Sequence, residues 1–468
     1  MADKKVDVAI IGSGTAGLNA TSQVGPSGKQ FLLINGGEPG TTCARVGCMP
    51  SKALIQVAED YHRRTHLNRY GVDGHSGLSI DIPTTLEHVQ DLRDTFVDRV
   101  LSNSTDNMGE KFVEAYAEFV DPHTLRLDNG DRVVAEHIVI ATGSRPVVPP
   151  AWEAFGDKIL TTDTFFELED LPESVAVIGL GVIGLELGQS LSRLGVNVTG
   201  FDMAQSIGGI SDPEVTQCAV EIMQREFPIH LGHPVEIHDA GAQLRVTAGD
   251  QSVLVDKVLA SLGRRPNLEG LALQNSGLEL DARGIPLFNP NTMQCSQSHI
   301  FMAGDLTGDR PILHEAGDEG KIAGYNASHD GVTAFQRKVP LAINFCDPNI
   351  CLTGALYKDL NLDTTAIGEV RLAPVGRALI MGQNRGVIRV YADKYTGVVL
   401  GSEMITPRGE NLGHLLNWAI SQNLTVGDLI RMPFYHPVIE EALQAALNNL
   451  YAQVEQKNPG PIKELAPL

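Results

Sequence analysis

Val6-Asp-Val-Ala-Ile-Ile11 runs directly into Gly12-Ser-Gly14-Thr-Ala-Gly17, and the same arrangement returns at Ser174-Val-Ala-Val-Ile178 followed by Gly179-Leu-Gly181-Val-Ile-Gly184. Each apolar run is short enough to be a buried strand, and each glycine triplet is spaced for a turn that holds a phosphate. The first glycine allows the tight turn, the second lets backbone approach a pyrophosphate, and the third lets a helix pack close to the strand. Free N–H groups at the start of that helix, together with its dipole, favour the anion. The pattern predicts a helix over 18–24 and a second strand over 31–34 in the first unit. In the second unit it predicts a helix over 185–194 and a strand over 197–201. One glycine triplet arises often by chance, whereas two complete strand–turn–helix–strand units in one chain point to two bound dinucleotides.

The strand ends distinguish the two nucleotides. The second unit closes on Asp202, about twenty residues past its glycines, where a carboxylate can accept from a ribose 2′-hydroxyl. No Lys or Arg occurs between Asp202 and Arg225 to pair with a 2′-phosphate, so NAD(H) is expected over NADP(H). The first unit ends instead on Asn35, with Glu38 three residues on. A neutral amide accepts more weakly than a carboxylate, so a looser adenosine end, or help from Glu38, is expected there.

Shortly after the first unit comes Gly40-Thr-Thr-Cys-Ala-Arg-Val-Gly-Cys-Met-Pro-Ser-Lys52, with Cys43 and Cys48 separated by four residues. Residues five apart on a regular helix lie about 7.5 Å apart along the axis, whereas bridged Cα atoms lie at about 4.4–6.8 Å. A bond between these thiols therefore requires a break in the helix, which Gly47 and Pro50 can supply. If Pro50 opens the following helix, Cys48 lies near its N-terminus, where the dipole stabilises a thiolate. The two thiols read as a redox pair. A zinc site would need further ligands at metal-like spacing beside them, and no metal is expected. Near the other end of the chain, His436-Pro-Val-Ile-Glu-Glu441 offers a histidine able to take a thiol proton and a carboxylate, Glu441, able to orient its ring. Pro437 suits the first turn of a helix, and taken alone these residues more often mean a capped surface helix.

Composition bounds the rest. The chain has 468 residues, 43% hydrophobic and 20% charged, enough for two to four domains with large cores. A net charge of −21 argues against nucleic acid or an anionic membrane as partner. No run of about twenty apolar residues occurs, so no transmembrane helix is expected. Lys4 and Lys5 precede an apolar run broken at Gly12, too short for a signal-peptide core. A cytoplasmic location is expected, with Cys218, Cys295, Cys346 and Cys351 as reduced, packed thiols.

Taken in order, these features resemble the pyridine nucleotide-disulphide oxidoreductase family, and within it the dihydrolipoamide dehydrogenases most. Beyond the motifs above, the resemblance rests on Ala141-Thr-Gly143-Ser-Arg-Pro146, Glu186 after the second glycine turn, Gly263-Arg-Arg-Pro-Asn267 and Ile300-Phe-Met-Ala-Gly-Asp305. It implies an α/β fold of two Rossmann-like dinucleotide-binding domains, for FAD and NAD, plus an α+β C-terminal dimerisation domain. The expected divisions are 1–150 for FAD, 151–270 for NAD, a central segment 271–338 completing the FAD site, and 339–468 for the interface. Strands over 387–392 and 398–404 and helices over 410–421 and 438–451 are expected in the last part, with an extended Pro-rich tail from Asn458.

The resemblance also implies roles. One non-covalent FAD per subunit would meet Gly12, Gly14, Gly17, Asn35, Thr42, Lys52, Ala117, Thr142, Gly143, Asp305 and Leu313, with Asp305 on its ribityl chain. NAD⁺ or NADH would meet Gly179, Gly181, Gly184, Glu186, Asp202, Val235 and Gly263. Lys52 and Glu186 are implied to pair beside the flavin, and His314 to sit near it in a structural turn. The implied reaction oxidises dihydrolipoamide and reduces NAD⁺, with Cys43 meeting substrate and Cys48 left as the thiolate beside the flavin. His436, held by Glu441, would serve the thiol pair of the opposite subunit, so a homodimer is implied, and a lipoyl domain of a 2-oxo acid dehydrogenase complex is the implied carrier of the dithiol.

Four stretches depart from the family pattern: Asn35, Thr41, Ala44-Arg45 and Asp347. Arg45, between the cysteines, is expected to lower their pKa or to select an anionic disulfide. The alternative activity is an NAD(P)H-dependent reductase of another low-molecular-weight disulfide or oxidant. A redox-sensing flavoprotein without turnover is a third reading, against which stands the retention of Cys43, Cys48, His436 and Glu441 together.

Overall fold

The strand Asp3–Ile11 runs through the middle of a seven-stranded sheet. Phe31–Asn35 and Arg132–Ile140 flank it in parallel, with Val8 opposite both Phe31 and His137. Phe112–Glu114 extends the parallel part, and Thr124–Leu127 with Ala117–Asp121 continue it as antiparallel strands. Val8 to Ile10 and Leu32 to Ile34 are all buried, because a parallel sheet is covered on both faces and its strands read as unbroken apolar runs. The computed structural model describes residues 3–467. Residues after the second unit return to this first sheet. Ile300–Met302 pairs in parallel with Ile138 to Ile140, which brings Gly304 and Asp305 to the strand ends where the first glycine turn lies.

The second unit repeats the plan in a five-stranded parallel sheet, ordered Ile229–Leu231, Asn197–Asp202, Ser174–Ile178, Lys257–Ala260, Ile159–Leu160. A three-stranded antiparallel sheet over 236–255 is appended to it. The two units are joined by a short antiparallel pair, Ser144–Pro146 with Arg264–Pro266. The C-terminal part is a five-stranded antiparallel sheet, Leu341–Asn344, Asn349–Gly354, Val399–Thr406, Val387–Asp393, Thr365–Arg371. The helices Gly409–Ser421 and Glu440–Gln453 bury Leu412, Leu416, Leu443 and Leu447 in one core with its strands.

Three local expectations are corrected. Both helices after the glycine turns begin three residues early, as Thr15–Val24 and Val182–Arg193, so the third glycine of each motif lies inside the first helical turn. Pro437 does not open the last helix. Residues 437–439 form a turn whose Val438 N–H donates to the Glu441 carboxylate (3.1 Å), and the helix runs Glu440–Gln453. The C-terminal stretch is not an extended tail, because Asn458 donates to the carbonyls of Gly427 and Lys463 (2.8 Å each) and Lys463 donates to Asn448 (2.7 Å).

Candidate active site

The two glycine turns have the same hydrogen bonds at matching positions. Gly12 N–H donates to Ile34 O (2.7 Å) and Gly179 N–H to Phe201 O (2.8 Å). One residue on, Ser13 N–H donates to the Asn35 side-chain oxygen (3.1 Å), and Leu180 N–H to the Asp202 carboxylate (2.6 Å). Asn35 therefore does for its turn what Asp202 does for the other, and its amide also donates to Gly37 O. A side chain on Gly17 would put its Cβ 1.8 Å from Gly12 O, and one on Gly184 1.9 Å from Gly179 O. Gly14 and Gly181 have nothing within 4 Å of that position. They stand at the N-caps of their helices, with no side-chain cap bond and no acidic residue in the first turn. Closed on one side and open on the other, with free helical N–H groups, each turn fits a pyrophosphate.

Beside the first turn, Asp305 accepts from Ser144 Oγ (2.8 Å), and Arg264 holds that serine through its hydroxyl (2.8 Å) and carbonyl (2.7 Å). Gly304 N–H donates to the fully buried Glu319 (2.8 Å), which fixes the turn that presents Asp305. Thr142 donates to Asn267 O (2.7 Å), and Asn267 N–H to Gly143 O (3.0 Å), locking Thr142 and Gly143 against the crossover near Gly263. Ala117 is buried in the first sheet, Leu313 and His314 are exposed at the start of the helix Leu313–Ser328, and Thr42 is exposed in the short helix carrying Cys43. Val235 packs on the core of the second unit.

The chain breaks helix at Gly47, between the helices Thr42–Val46 and Cys48–His62. Cys43 sits half-buried in the first and Cys48 exposed at the first position of the second, and both are free thiols. Across the Gly47 break the two thiols lie close enough to interact with each other. That interaction pushes the Cys43 thiol up and, with the Lys52 ammonium, brings Cys48 down to about 7 although neighbouring protein, which leaves the residue open to solvent on one side only, partly desolvates it. Lys52, one turn along the same helix, donates to Glu186 (2.7 Å), on the helix of the second glycine turn. Glu186 is buried, and its other oxygen accepts from Phe345 N–H (2.9 Å), whose ring lies 4.8 Å under the Lys52 ammonium. The structure thus assembles Cys43, Cys48, Lys52 and Glu186 at the junction of the two units. Phe345 belongs with them and carries no local sequence signal.

His436 and Glu441 meet at 2.8 Å through His436 Nδ1, in a turn at the end of the C-terminal part. The ring is largely exposed, at 81%, which leaves Nε2 turned to solvent. The imidazole contact and the Val438 N–H hold the Glu441 carboxyl below the usual carboxylate range. Among the described residues, no hydrogen bond or ion pair joins His436 to Cys43 or Cys48 of the same chain.

Two expectations change. Arg45 is not among the main influences on the thiols: its guanidinium is paired with the Glu38 carboxylate and also donates to Glu38 O (3.4 Å), and the cation that lowers Cys48 is Lys52. The same pair commits Glu38 to Arg45 instead of to the end of the first unit. His62 and His66 do have a ligand-like i, i+4 spacing, but their rings meet edge to face at 5.4 Å, and no cluster of three metal-ligating groups occurs among the described residues. No helix among them is long and apolar enough to cross a membrane.

Residues 6–320 match the family described as pyridine nucleotide-disulphide oxidoreductase, and residues 340–447 match its dimerisation domain. The dihydrolipoyl dehydrogenase of Haloferax volcanii is 30% identical to this chain, over 96% of each. That of Pseudomonas aeruginosa is 28% identical, covering 94% of this chain and 97% of its own length. Among solved structures, the HOCl-induced flavoprotein disulfide reductase RclA from Escherichia coli shares the fold, with a TM-score of 0.82 at 22% identity over 96% of this chain and all of that one. LpdA from Mycobacterium tuberculosis does so with a TM-score of 0.81 at 23% identity, over 96% and 99%.

Proposed function

The chain belongs to the pyridine nucleotide-disulphide oxidoreductase family, whose members bind FAD and NAD(H), and from that membership we propose that it oxidises dihydrolipoamide to lipoamide while reducing NAD⁺ to NADH. The observation that carries this reading is the placement of Cys43 and Cys48 on either side of the Gly47 break, with Lys52 one turn beyond Cys48, where its charge favours the Cys48 thiolate. The dihydrolipoyl dehydrogenases that align over nearly the whole chain support the choice of substrate. In this reading residues 1–150 with 271–338 hold FAD, 151–270 hold NAD(H), and 339–468 pair two copies.

The substrate dithiol gives a proton to His436 of the partner subunit, whose imidazolium is stabilised by Glu441. The resulting thiolate attacks Cys43 of the oxidised pair, the Cys43–Cys48 bond breaks, and Cys48 leaves as the thiolate. Cys48 is the better leaving group because Lys52 and the helix N-terminus stabilise its charge. The second substrate thiol then attacks the mixed disulfide, which releases Cys43 as a thiol and closes lipoamide. FAD, held by Gly12, Gly14, Gly17, Asn35, Thr142, Gly143 and Asp305, would supply the two-electron relay from the thiol pair to NAD⁺. The second glycine turn and Asp202 orient NAD⁺. The balance is dithiol plus NAD⁺ to disulfide plus NADH plus H⁺. A lipoyl domain of a 2-oxo acid dehydrogenase complex is the proposed carrier of the dithiol.

The test compares, on purified enzyme, dihydrolipoamide with NAD⁺ against a panel of low-molecular-weight disulfides with NADH and with NADPH. The expected result is a kcat/KM for dihydrolipoamide at least about a hundredfold above any of the others. A higher value for NADH- or NADPH-driven reduction of another disulfide would replace this reading with that of a reductase.

A further inference from the structure

Two separated stretches of chain converge on Glu403, a side chain without solvent exposure in the strand Val399–Thr406. One carboxylate oxygen accepts from the N–H groups of Ser211 (2.7 Å) and Asp212 (2.9 Å). The other accepts from the Ser211 hydroxyl and from Tyr357 N–H (2.8 Å). Asp212 is equally buried. It accepts from the Arg389 guanidinium and the Tyr391 hydroxyl (2.8 Å each), both on the adjacent strand, and from Glu214 N–H (3.0 Å), at the start of the helix Pro213–Met223. Two buried carboxylates side by side are costly unless each is fully hydrogen-bonded, and an apolar contact would join the same surfaces with less demand on geometry. What the network adds is a fixed position for one segment, residues 203–212.

That segment leads away from Asp202, the carboxylate that accepts from Leu180 N–H inside the second glycine turn. Asp202 also accepts from Ala204 N–H (2.8 Å), and Gly208 N–H donates to Leu180 O (2.8 Å). Leu180, the residue between Gly179 and Gly181, is therefore held at its N–H by Asp202, just before the segment, and at its carbonyl by Gly208 within it. Gly208 and Gly209 take positive φ values, +63° and +80°, which lets the segment bend against Ile350 and Leu352 of the C-terminal sheet. One end is tied to the dinucleotide turn, and the other to Glu403.

We propose that Glu403 is a positioning residue for NAD(H), fixing residues 203–212 so that Leu180 and Asp202 keep the shape of the dinucleotide turn. Through it the C-terminal sheet sets the affinity of the second unit for its nucleotide. Glu403 acts through Ser211 and Asp212 and leaves the thiol pair untouched. The inference rests on NAD(H) lying at Gly179–Gly184, as proposed above, and is independent of which disulfide the enzyme takes.

Glu403→Gln keeps the size of the side chain but turns an NH₂ toward N–H donors, and Ser211→Ala removes one donor as a milder change. The measurements, on FAD-loaded enzyme, are the NADH dissociation constant by calorimetry, the single-turnover rate of enzyme reduction by dithiol without NAD⁺, and the thermal midpoint. The expected result is a Kd raised about tenfold in Glu403→Gln and about threefold in Ser211→Ala, with the dithiol step within about twofold of the parent. An NADH Kd within about twofold of the parent in both variants overturns the proposal. So does a joint fall of NADH binding, the dithiol step and the thermal midpoint, which marks Glu403 as structural only. Gly181→Val separates the two levels. If it leaves NADH binding intact, the nucleotide lies elsewhere and the proposal falls with that placement. If it abolishes binding while Glu403→Gln does not, the placement stands and the clamp alone is wrong.

Discussion

Lys52 Nζ lies 2.7 Å from Glu186 Oε2, and this contact ties the helix that begins at Cys48 to the helix that begins at the second glycine turn. The two ends of the pair are unequal. The Glu186 side chain is 4% exposed and has a second donor in Phe345 N–H, whereas the Lys52 side chain is 34% exposed and also acts on Cys48. One cation therefore neutralises a buried carboxylate and favours a thiolate.

Replacing Lys52 by Met should move Cys48 upward from about 7, since the Lys52 charge is one of the two influences that lower it most. Only the thiolate is alkylated, so the iodoacetamide reaction of reduced enzyme should rise through pH 7 in the parent and about one unit higher in Lys52→Met. Coincident pH profiles for the two proteins would rule out Lys52 as the source of the effect.

The inequality of the pair also predicts an asymmetry in stability. Lys52→Met leaves the buried Glu186 without its cation and should cost about 1–3 kcal/mol, less than a fully buried pair because Lys52 is partly solvated. Glu186→Gln should cost less, since an amide oxygen still accepts from Phe345 N–H. The double variant should be more stable than Lys52→Met alone. Thermal midpoints of the three proteins decide it, and a double variant that melts below both single ones contradicts the account.

The exposed ring of His436 and its 2.8 Å contact with Glu441 predict a split between the two halves of the reaction. His436→Gln should lower turnover with dihydrolipoamide by about 10²–10⁴, and Glu441→Gln by about 10–10², because the latter leaves the base but removes the charge that stabilises its protonated form. NADH oxidation by an artificial acceptor such as ferricyanide needs no thiol proton transfer and should stay within about twofold. Equal losses in both assays would mean that the turn at 436–441 is structural.

Much of this was legible from residues 6–17 and 174–184, because turns that admit a pyrophosphate tolerate almost nothing but glycine at three set positions. The helix starts were misplaced for a related reason. Gly17 and Gly184 weigh against helix by local propensity, yet both are helical, and they are glycine because Cβ atoms there would meet the carbonyls of Gly12 and Gly179. The role of Arg45 was hidden by a partner seven residues upstream, across a bend that no periodicity reveals. Phe345, Ser211 and Glu403 were invisible, since each acquires its place only when strands distant in sequence come together.

Glu59 gives a pH dependence that can be worked out from one side chain. It lies on the helix that begins at Cys48, and burial, helped by the Asp347 charge, raises its carboxyl from 4.5 to about 7. Arg193 does not relieve it fully, being already paired with Glu226 (2.7 Å) and Asp347 (3.0 Å). Between those two pH values the unfolded chain has released the proton and the folded chain has kept it, so stability falls as pH rises and levels off above about 7. Full expression of the shift is about 3 kcal/mol, and partial exposure of Glu59 reduces this to about 1–2 kcal/mol. Glu59→Gln abolishes the ionisation, so its advantage over the parent should be near zero or negative at pH 4.5 and should grow to that size at pH 8. Thermal midpoints of both proteins across this range measure the difference. A gap that does not change with pH would show that Glu59 titrates normally in the fold.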